Sequence, residues 1–235
     1  MWRRRLTRVL LCATGLVLAL LLAGTGYELA LPGVTNAPVL VAGILRVHHG
    51  VAAGPRVPTK LAEAVVSVED EHYYSNIFLN VFDGAARAAL ATRHTSGDPG
   101  GSTIEQQLAK QLYGDGKGLG ATLCQIGLGV KLSLSFSKSQ ILVMYLNATY
   151  YGNGYWGDVA AARGYFGTSP DRLDWAEAAM LAGLLQAPSA YDPDTNLALA
   201  KKRQREVLDQ LVVNQHLTES QAEAAFEETL PLRHG

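Results

Sequence analysis

The N-terminal segment constrains this chain more than any other feature. Its first eight residues, "MWRRRLTR", carry four arginines, and residues 9–30 form an apolar stretch with no charge before Glu28. A run of roughly 20 apolar residues is long enough to cross a bilayer, and arginines before it favour a cytoplasmic N-terminus. The sequence therefore predicts a basic cytoplasmic segment (1–8), a transmembrane anchor (9–30) and a remainder on the outer side of the membrane.

A cleaved signal peptide is the alternative for this segment. Membrane anchors and signal peptides both have a basic start and an apolar stretch, and "LAGTG" (22–26) offers small residues for cleavage. We favour the uncleaved anchor. The formal net charge of the whole chain is −1, so no basic surface indicates binding to nucleic acid.

The rest of the chain divides into a linker and one domain. Residues 31–57 are rich in Gly, Pro and Val, which predicts a juxtamembrane linker with at most a short ordered piece. Residues 58–235 show helical patterns and no alternating strand run, so the predicted fold class is mostly α. Capping boxes, in which a capping side chain precedes Glu or Gln by three residues, predict helix starts. They pair Ser102 with Glu105, Ser137 with Gln140, Asp174 with Glu177, and Thr218 with Gln221.

The stretch "VVSVEDEHYY" (65–74) places three carboxylates and a histidine at the end of an apolar run. Thr59 is predicted to cap a helix whose spacing puts Glu69 on the face of Val66 and Tyr73. A carboxylate at such an apolar border loses hydration and becomes a better proton acceptor near neutral pH. A solvated helix end is the alternative, and this stretch alone favours it, because most acidic clusters lie at the surface.

A second stretch, "DPGGSTIEQQLAKQLYGDGKG" (98–118), leads from two glycines into a helix. The free amides and positive dipole end of a helix start suit an anion such as phosphate. An ordinary amphipathic helix, with Glu105 as the capping partner of Ser102, explains the spacing equally well. One face of this helix carries hydrogen-bonding side chains and a lysine able to hold a phosphorylated sugar, namely Thr103, Gln106, Gln107 and Lys110.

Four segments carry a resemblance to a known family: "VEDEHYYSN" (68–76), "GGSTIEQQLAKQL" (100–112), "SKSQILVMYLNATYYGNGYWGDVAAARGYFG" (137–167) and "LDWAEAAMLAGLLQAPSAYDP" (173–193). In this order they resemble the motifs of the peptidoglycan glycosyltransferases, family 51, over about residues 58–213. The resemblance implies a lysozyme-like glycosyltransferase domain behind the N-terminal transmembrane helix. Since no penicillin-binding domain follows in this sequence, the expected type is the monofunctional, membrane-anchored transglycosylase.

The resemblance also implies a reaction. Enzymes of this family polymerise lipid II into β-1,4-linked glycan strands at the outer face of the cytoplasmic membrane and release undecaprenyl pyrophosphate. The family's general base falls on Glu69, with Asp70 in support. The matching substrate-binding positions are Tyr73, Ser102, Thr103, Gln106, Gln107, Lys110 and Gln125. The expected partners are lipid II, the growing glycan chain, the membrane and other proteins of cell-wall synthesis.

One family motif is missing. The family usually carries a second glutamate in an Arg-Lys-x-x-Glu motif, which falls here on "ATLCQ" (121–125), and residues 116–138 contain no Asp or Glu. Losing an electrostatic group can lower a rate on the order of a hundred- to a thousandfold. Gln125 can still donate a hydrogen bond to a phosphate oxygen. A substitute carboxylate in the same cleft, such as Asp158 or Glu71, would strengthen the case for an enzyme.

Two other functions remain open. The missing carboxylate permits a catalytically degenerate scaffold that binds lipid II or cell-wall partners. A lysozyme-like hydrolase ranks last because such hydrolases commonly need two carboxylates.

Metal and cysteine chemistry receive little support from the sequence. The six histidines show no ligand spacing, so neither a cofactor nor a structural metal is predicted, and Mg²⁺ or Mn²⁺ is implied by the resemblance alone. Cys124 has apolar neighbours and is expected to be an inert thiol that does not pair with Cys12. The apolar stretch "LGATLCQIGLGVKLSLSF" (119–136) is a candidate surface for contact with lipid.

Overall fold

The computed structural model describes residue 26 and residues 29–75, 102–114 and 116–233. The chain separates into two compact units, Met1–Gly33 and Val34–Gly235. The cytoplasmic segment predicted at 1–8 lies outside the described residues, as does nearly all of the anchor predicted at 9–30. Within the described ranges, every helix is too short or too polar to cross a bilayer.

The second unit is built from α-helices, which confirms the mostly α prediction. Its only strand-like pairing among the described residues is an antiparallel bridge between Tyr150 and Trp156. Two short helical turns, Ala162–Phe166 and Pro170–Arg172, lie between the sixth and seventh helices. The helices are α1 (Ala37–Val47), α2 (Thr59–Glu69), α3 (Ile104–Tyr113), α4 (Leu119–Ser135), α5 (Lys138–Ala148), α6 (Asp158–Ala161), α7 (Trp175–Leu184), α8 (Leu197–Val213) and α9 (Glu219–Glu227).

Helix α1 lies inside the segment that composition predicts to be a linker. Its buried residues Ala37, Val41 and Leu45 recur every four positions and face α5. Pro38 is accommodated because it lies in the first turn, where its missing N–H has no helical partner. The second unit therefore starts before residue 58, and the helical period of α1 is concealed in the sequence by glycine and proline.

Helix α7 is the centre of the core. Every residue from Ala176 to Leu184 is buried, and the helix packs between α2 and α8. Apart from Glu177, which belongs to the capping box, these residues are apolar or glycine, and a helix of this kind has to be surrounded by other elements. A polar link to it comes from fully buried Gln204 on α8, whose Nε2 donates to the carbonyl of Ala176 at 2.7 Å.

Three of the four predicted capping boxes are confirmed, at Ser137, Asp174 and Thr218. The fourth prediction is wrong by one residue, because Thr103 rather than Ser102 caps α3, with Gln106 as its partner. Thr59 does not cap α2 either, since Pro58 occupies that position.

Candidate active site

Glu69 is the last residue of α2, and its carboxylate is held by a side chain from α3. Gln107 Nε2 donates to Oε2 of Glu69 at 2.8 Å and also contacts the carbonyl of Ser102 at 3.4 Å. Glu69 and Gln107 are both half-buried. The structure therefore brings together two residues that the sequence assigned to the base and to the substrate site.

Asp70 joins the same two helices at an adjacent point. Its Oδ2 accepts a hydrogen bond from the Ile104 amide at 3.2 Å, at the first residue of α3. Burial raises the pKa of Asp70 to about 6, and the charge of Glu105 adds to the rise, whereas the Ile104 amide and the charges of Lys138 and His72 oppose it. Asp70 thus fixes the end of α2 to the start of α3, beside Glu69.

Two of the first amides of α3 are already bonded within the protein, while the glycines that suggested a phosphate site, Gly100 and Gly101, lie outside the described residues. The Ile104 amide is taken by Asp70, and the Gln106 amide donates to the Thr103 hydroxyl. The Thr103 amide donates to Oε1 of Gln106. Thr103 and Gln106 are both buried, so their side chains serve the capping box.

Lys110 occupies a different environment on α3. It is exposed, and its ammonium forms no hydrogen bond or ion pair with the part of the chain that the structure describes. Gln107 and Lys110 are three residues apart and therefore lie on the same face of α3. Lys110, which the sequence analysis assigned to binding the pyrophosphate, is therefore next to Gln107, whose amide holds Glu69.

Glu105 is a buried carboxylate that the sequence misassigned as a capping partner. It is 3% exposed and forms an ion pair with Lys138 at the start of α5. The Lys138 ammonium also lies 4.2 Å from the centre of the Tyr73 ring, and the Tyr73 hydroxyl donates to the Lys138 carbonyl at 2.7 Å. Tyr73 is therefore a buried link between the end of α2 and α5.

Tyr145 on α5 completes this arrangement and was not predicted from the sequence. Its hydroxyl donates to Oε1 of Gln107 at 2.8 Å, and it is 1% exposed. One turn later, Thr149 accepts from Gln111 Nε2 at 3.1 Å. A buried tyrosine in an apolar helix usually has a hydrogen-bond partner for its hydroxyl. Which residue that partner is depends on how α3 and α5 pack, so the sequence alone does not identify it.

Gln125, which the resemblance aligns with the family's second glutamate, lies half-buried on α4. It is four residues before Gly129 and therefore on the same face of the helix. That face packs on α3, because a Cβ at Gly129 would lie 3.3 Å from the amide nitrogen of Gln106. Cys124 beside it is a free, half-buried thiol, whereas Cys12 lies outside the described residues.

Neither alternative carboxylate replaces the missing glutamate. Asp158 is fully buried at the start of α6, where its Oδ1 accepts from the Val159 amide and its Oδ2 has no partner among the described residues. Burial raises the pKa of Asp158 to about 6. Glu71 is exposed beside His72, as expected for a solvated carboxylate.

No three His, Cys, Asp or Glu side chains lie close enough to hold a metal ion within the described ranges. The divalent ion implied by the resemblance prefers carboxylate oxygens. Position 125 carries an amide, so the described residues do not fit such an ion.

The sequence model of the family described as "Transglycosylase" matches residues 42–212. The chain belongs to this family. The resemblance to the peptidoglycan glycosyltransferases of family 51 is thereby confirmed, and the protein is an enzyme of that class. A Cupriavidus necator protein named as a transglycosylase is 35% identical over 179 residues, which cover 76% of this chain and 77% of that protein.

The chain is also similar to one part of larger proteins. It is 37% identical over 172 residues to penicillin-binding protein 2a of Streptococcus pneumoniae, covering 73% of this chain and 23% of that protein. Penicillin-binding protein 1A of Neisseria gonorrhoeae is 38% identical over 175 residues, 74% of this chain and 22% of that protein. The crystal structure of penicillin-binding protein 1A from Haemophilus influenzae aligns with 56% of this chain and 16% of its own, with 26% identity and a TM-score of 0.39.

Proposed function

We propose that this protein polymerises lipid II into β-1,4-linked glycan strands, with Glu69 as the general base. Glu69 removes the proton from the 4-hydroxyl of the acceptor sugar as that oxygen attacks the anomeric carbon of the growing lipid-linked chain. The bond from that carbon to the pyrophosphate breaks, and undecaprenyl pyrophosphate leaves with the bonding electrons. Configuration at the anomeric carbon inverts because the attacking oxygen and the leaving group are on opposite sides.

The observation that carries this proposal is the hydrogen bond between Glu69 and Gln107, one turn before exposed Lys110. Gln107 and Lys110 are three residues apart on α3, which corresponds to about 4.5 Å along the helix axis. A base held against the helix face that carries a cation matches the two ends of the reaction, where a proton is removed and negative charge develops on the pyrophosphate. Asp70 supports the base by fixing α2 to α3.

The missing second glutamate favours one competing function, a scaffold that binds lipid II or cell-wall synthesis partners without catalysis. A polymerisation assay distinguishes the enzyme from the scaffold. It measures labelled lipid II in liposomes with the full-length protein, and with the Gln125→Glu variant in parallel. We expect polymer from the parent protein. A silent parent and an active Gln125→Glu variant would instead identify a binder that has lost its chemistry.

We also propose that the protein is a single-pass protein of the cytoplasmic membrane, with its N-terminus in the cytoplasm and its catalytic domain on the outer face. The apolar composition of 9–30 and the arginines before it support this location. Helix α4 is the proposed lipid-contacting surface of the domain. It exposes Leu123 by 47% and Leu134 by 74%, and apolar side chains at a membrane surface favour contact with lipid.

A fluorescent probe tests the role of α4. It is attached at Leu134→Cys in full-length protein whose native cysteines are replaced by serine, and the protein is placed in liposomes that contain nitroxide-labelled lipid. We expect strong quenching at position 134 and little at Val213→Cys, a control position on α8 that is 67% exposed. Equal quenching at both positions would contradict contact between α4 and lipid.

A further inference from the structure

The amide of Gln107 has two chemically different ends, and each is used by a different residue. Nε2 donates to Glu69 at 2.8 Å, while Oε1 accepts from the Tyr145 hydroxyl at 2.8 Å. Rotating the amide by 180° would present its oxygen to the Glu69 carboxylate, which has only acceptors when ionised. The function of Glu69 therefore depends on which end of Gln107 faces it.

Tyr145 is suited to decide that orientation. It is 1% exposed, and burial, followed by the charge of Glu69, raises the pKa of its hydroxyl well above the usual value. The hydroxyl therefore keeps its proton throughout the physiological range and remains able to donate. A permanent donor facing one end of a primary amide favours the oxygen at that end and turns the NH₂ group away from it.

The helix that carries Tyr145 is itself held in place on both sides of this contact. Lys138, seven residues earlier on α5, pairs with buried Glu105 at the start of α3. Thr149, which follows the last residue of α5, accepts from Gln111 near the end of α3. Tyr145 lies between these two links, so its hydroxyl is presented to Gln107 with little freedom to move.

We propose that Tyr145 is a positioning residue for the reaction. By donating to Oε1 of Gln107, it fixes the amide so that Nε2 holds the Glu69 carboxylate in the orientation needed for proton removal. This inference rests on the proposed role of Glu69 as the base. Tyr145 acts through Gln107, to which its hydroxyl donates.

The test uses full-length protein and the variants Tyr145→Phe, Gln107→Ala and the double variant, in the lipid II polymerisation assay. Removing one oriented hydrogen bond is expected to lower kcat about tenfold for Tyr145→Phe and to leave KM unchanged. Because Tyr145 acts through Gln107, its replacement is expected to cost nothing further in the Gln107→Ala background. A purely structural role would instead give the same loss in both backgrounds and would overturn the proposal.

Tyr165→Phe is the matched control. Tyr165 is also 1% exposed, and its hydroxyl donates to the carbonyl of Tyr151 at 3.0 Å, away from Glu69. The same chemical change is expected to leave kcat within about twofold of the parent value, since it alters no contact of the site. If Tyr145→Phe and Tyr165→Phe are equally active, the proposal is wrong.

A second measurement needs no activity and separates this inference from the proposed function. The side-chain amide of Gln107 is followed by ¹⁵N NMR during an acid titration, and its signal is assigned by its loss in Gln107→Ala. In the parent, the signal should shift as Glu69 takes up a proton, and Tyr145→Phe should largely abolish that shift. If the shift is unchanged in Tyr145→Phe, the positioning role is refuted, whether or not the parent protein makes polymer. A parent protein that makes no polymer refutes the proposed function instead.

Discussion

Replacing Glu69 with glutamine is expected to lower the rate of lipid II polymerisation by about a thousandfold, within the usual contribution of general acid–base catalysis. Glutamine has nearly the same shape but cannot remove a proton. The Gln107 amide can still donate to the new side-chain oxygen, so the contact between α2 and α3 is kept. The loss should therefore appear in kcat, with little change in the urea concentration at which the protein unfolds.

Glu71→Gln is the control for this experiment. It removes a carboxylate two residues away that is exposed beside His72, and it keeps the bond that Gln107 donates to Glu69. Surface substitutions of this kind rarely alter stability by more than about 0.5 kcal/mol, and we expect activity within about twofold of the parent. If Glu69→Gln retains more than a tenth of the parent rate, Glu69 is not the base.

The second large effect is on stability and concerns Asp158. At neutral pH its buried carboxylate is charged, with Oδ2 lacking a partner among the described residues. Asp158→Asn keeps the side-chain oxygen that accepts from Val159 and removes the charge. The pKa of Asp158 rises from 3.8 to about 6 on folding, which corresponds to roughly 3 kcal/mol at pH 7. Because the new amide is also buried, we expect a net gain of about 2 kcal/mol in the free energy of unfolding.

The gain should depend on pH with a defined sign. The folded state binds the proton of Asp158 at a higher pH than the unfolded state does, so this group destabilises the protein as pH rises from about 4 through 6. The difference between Asp158→Asn and the parent should therefore be large at pH 7 and small near pH 4. Asp70 has a similarly raised pKa, but it contributes equally to both proteins and cancels in the difference. A less stable variant at pH 7 in urea titrations would contradict this account.

Local patterns predicted the helix starts well because a capping box needs only residues three positions apart. The error at α3 shows the limit of such patterns. In "STIEQ" (102–106) both Ser102 and Thr103 can cap, and each has Glu or Gln three residues later. Burial of Glu105 against Lys138 decides between them, and Lys138 is 33 residues away in sequence.

The site was predictable in the same partial way. The resemblance placed Glu69 and Gln107 in one functional site, and the structure joins them. Tyr145 escaped prediction because its role depends on the distance between α3 and α5, which no local spacing encodes. The sequence could not show that the Ile104 amide is occupied, because the carboxylate that accepts from it belongs to Asp70, which directly follows α2.

The contact between Asp70 and Ile104 has a consequence for how the base is held. It joins two helix ends that are 34 residues apart in the chain. The contact lies one residue from the hydrogen bond that Gln107 donates to Glu69, and the two together keep Glu69 beside α3. Two adjacent residues thus attach α2 to α3 independently, so a substitution that removes one of the two hydrogen bonds leaves the other to hold the catalytic carboxylate in its place.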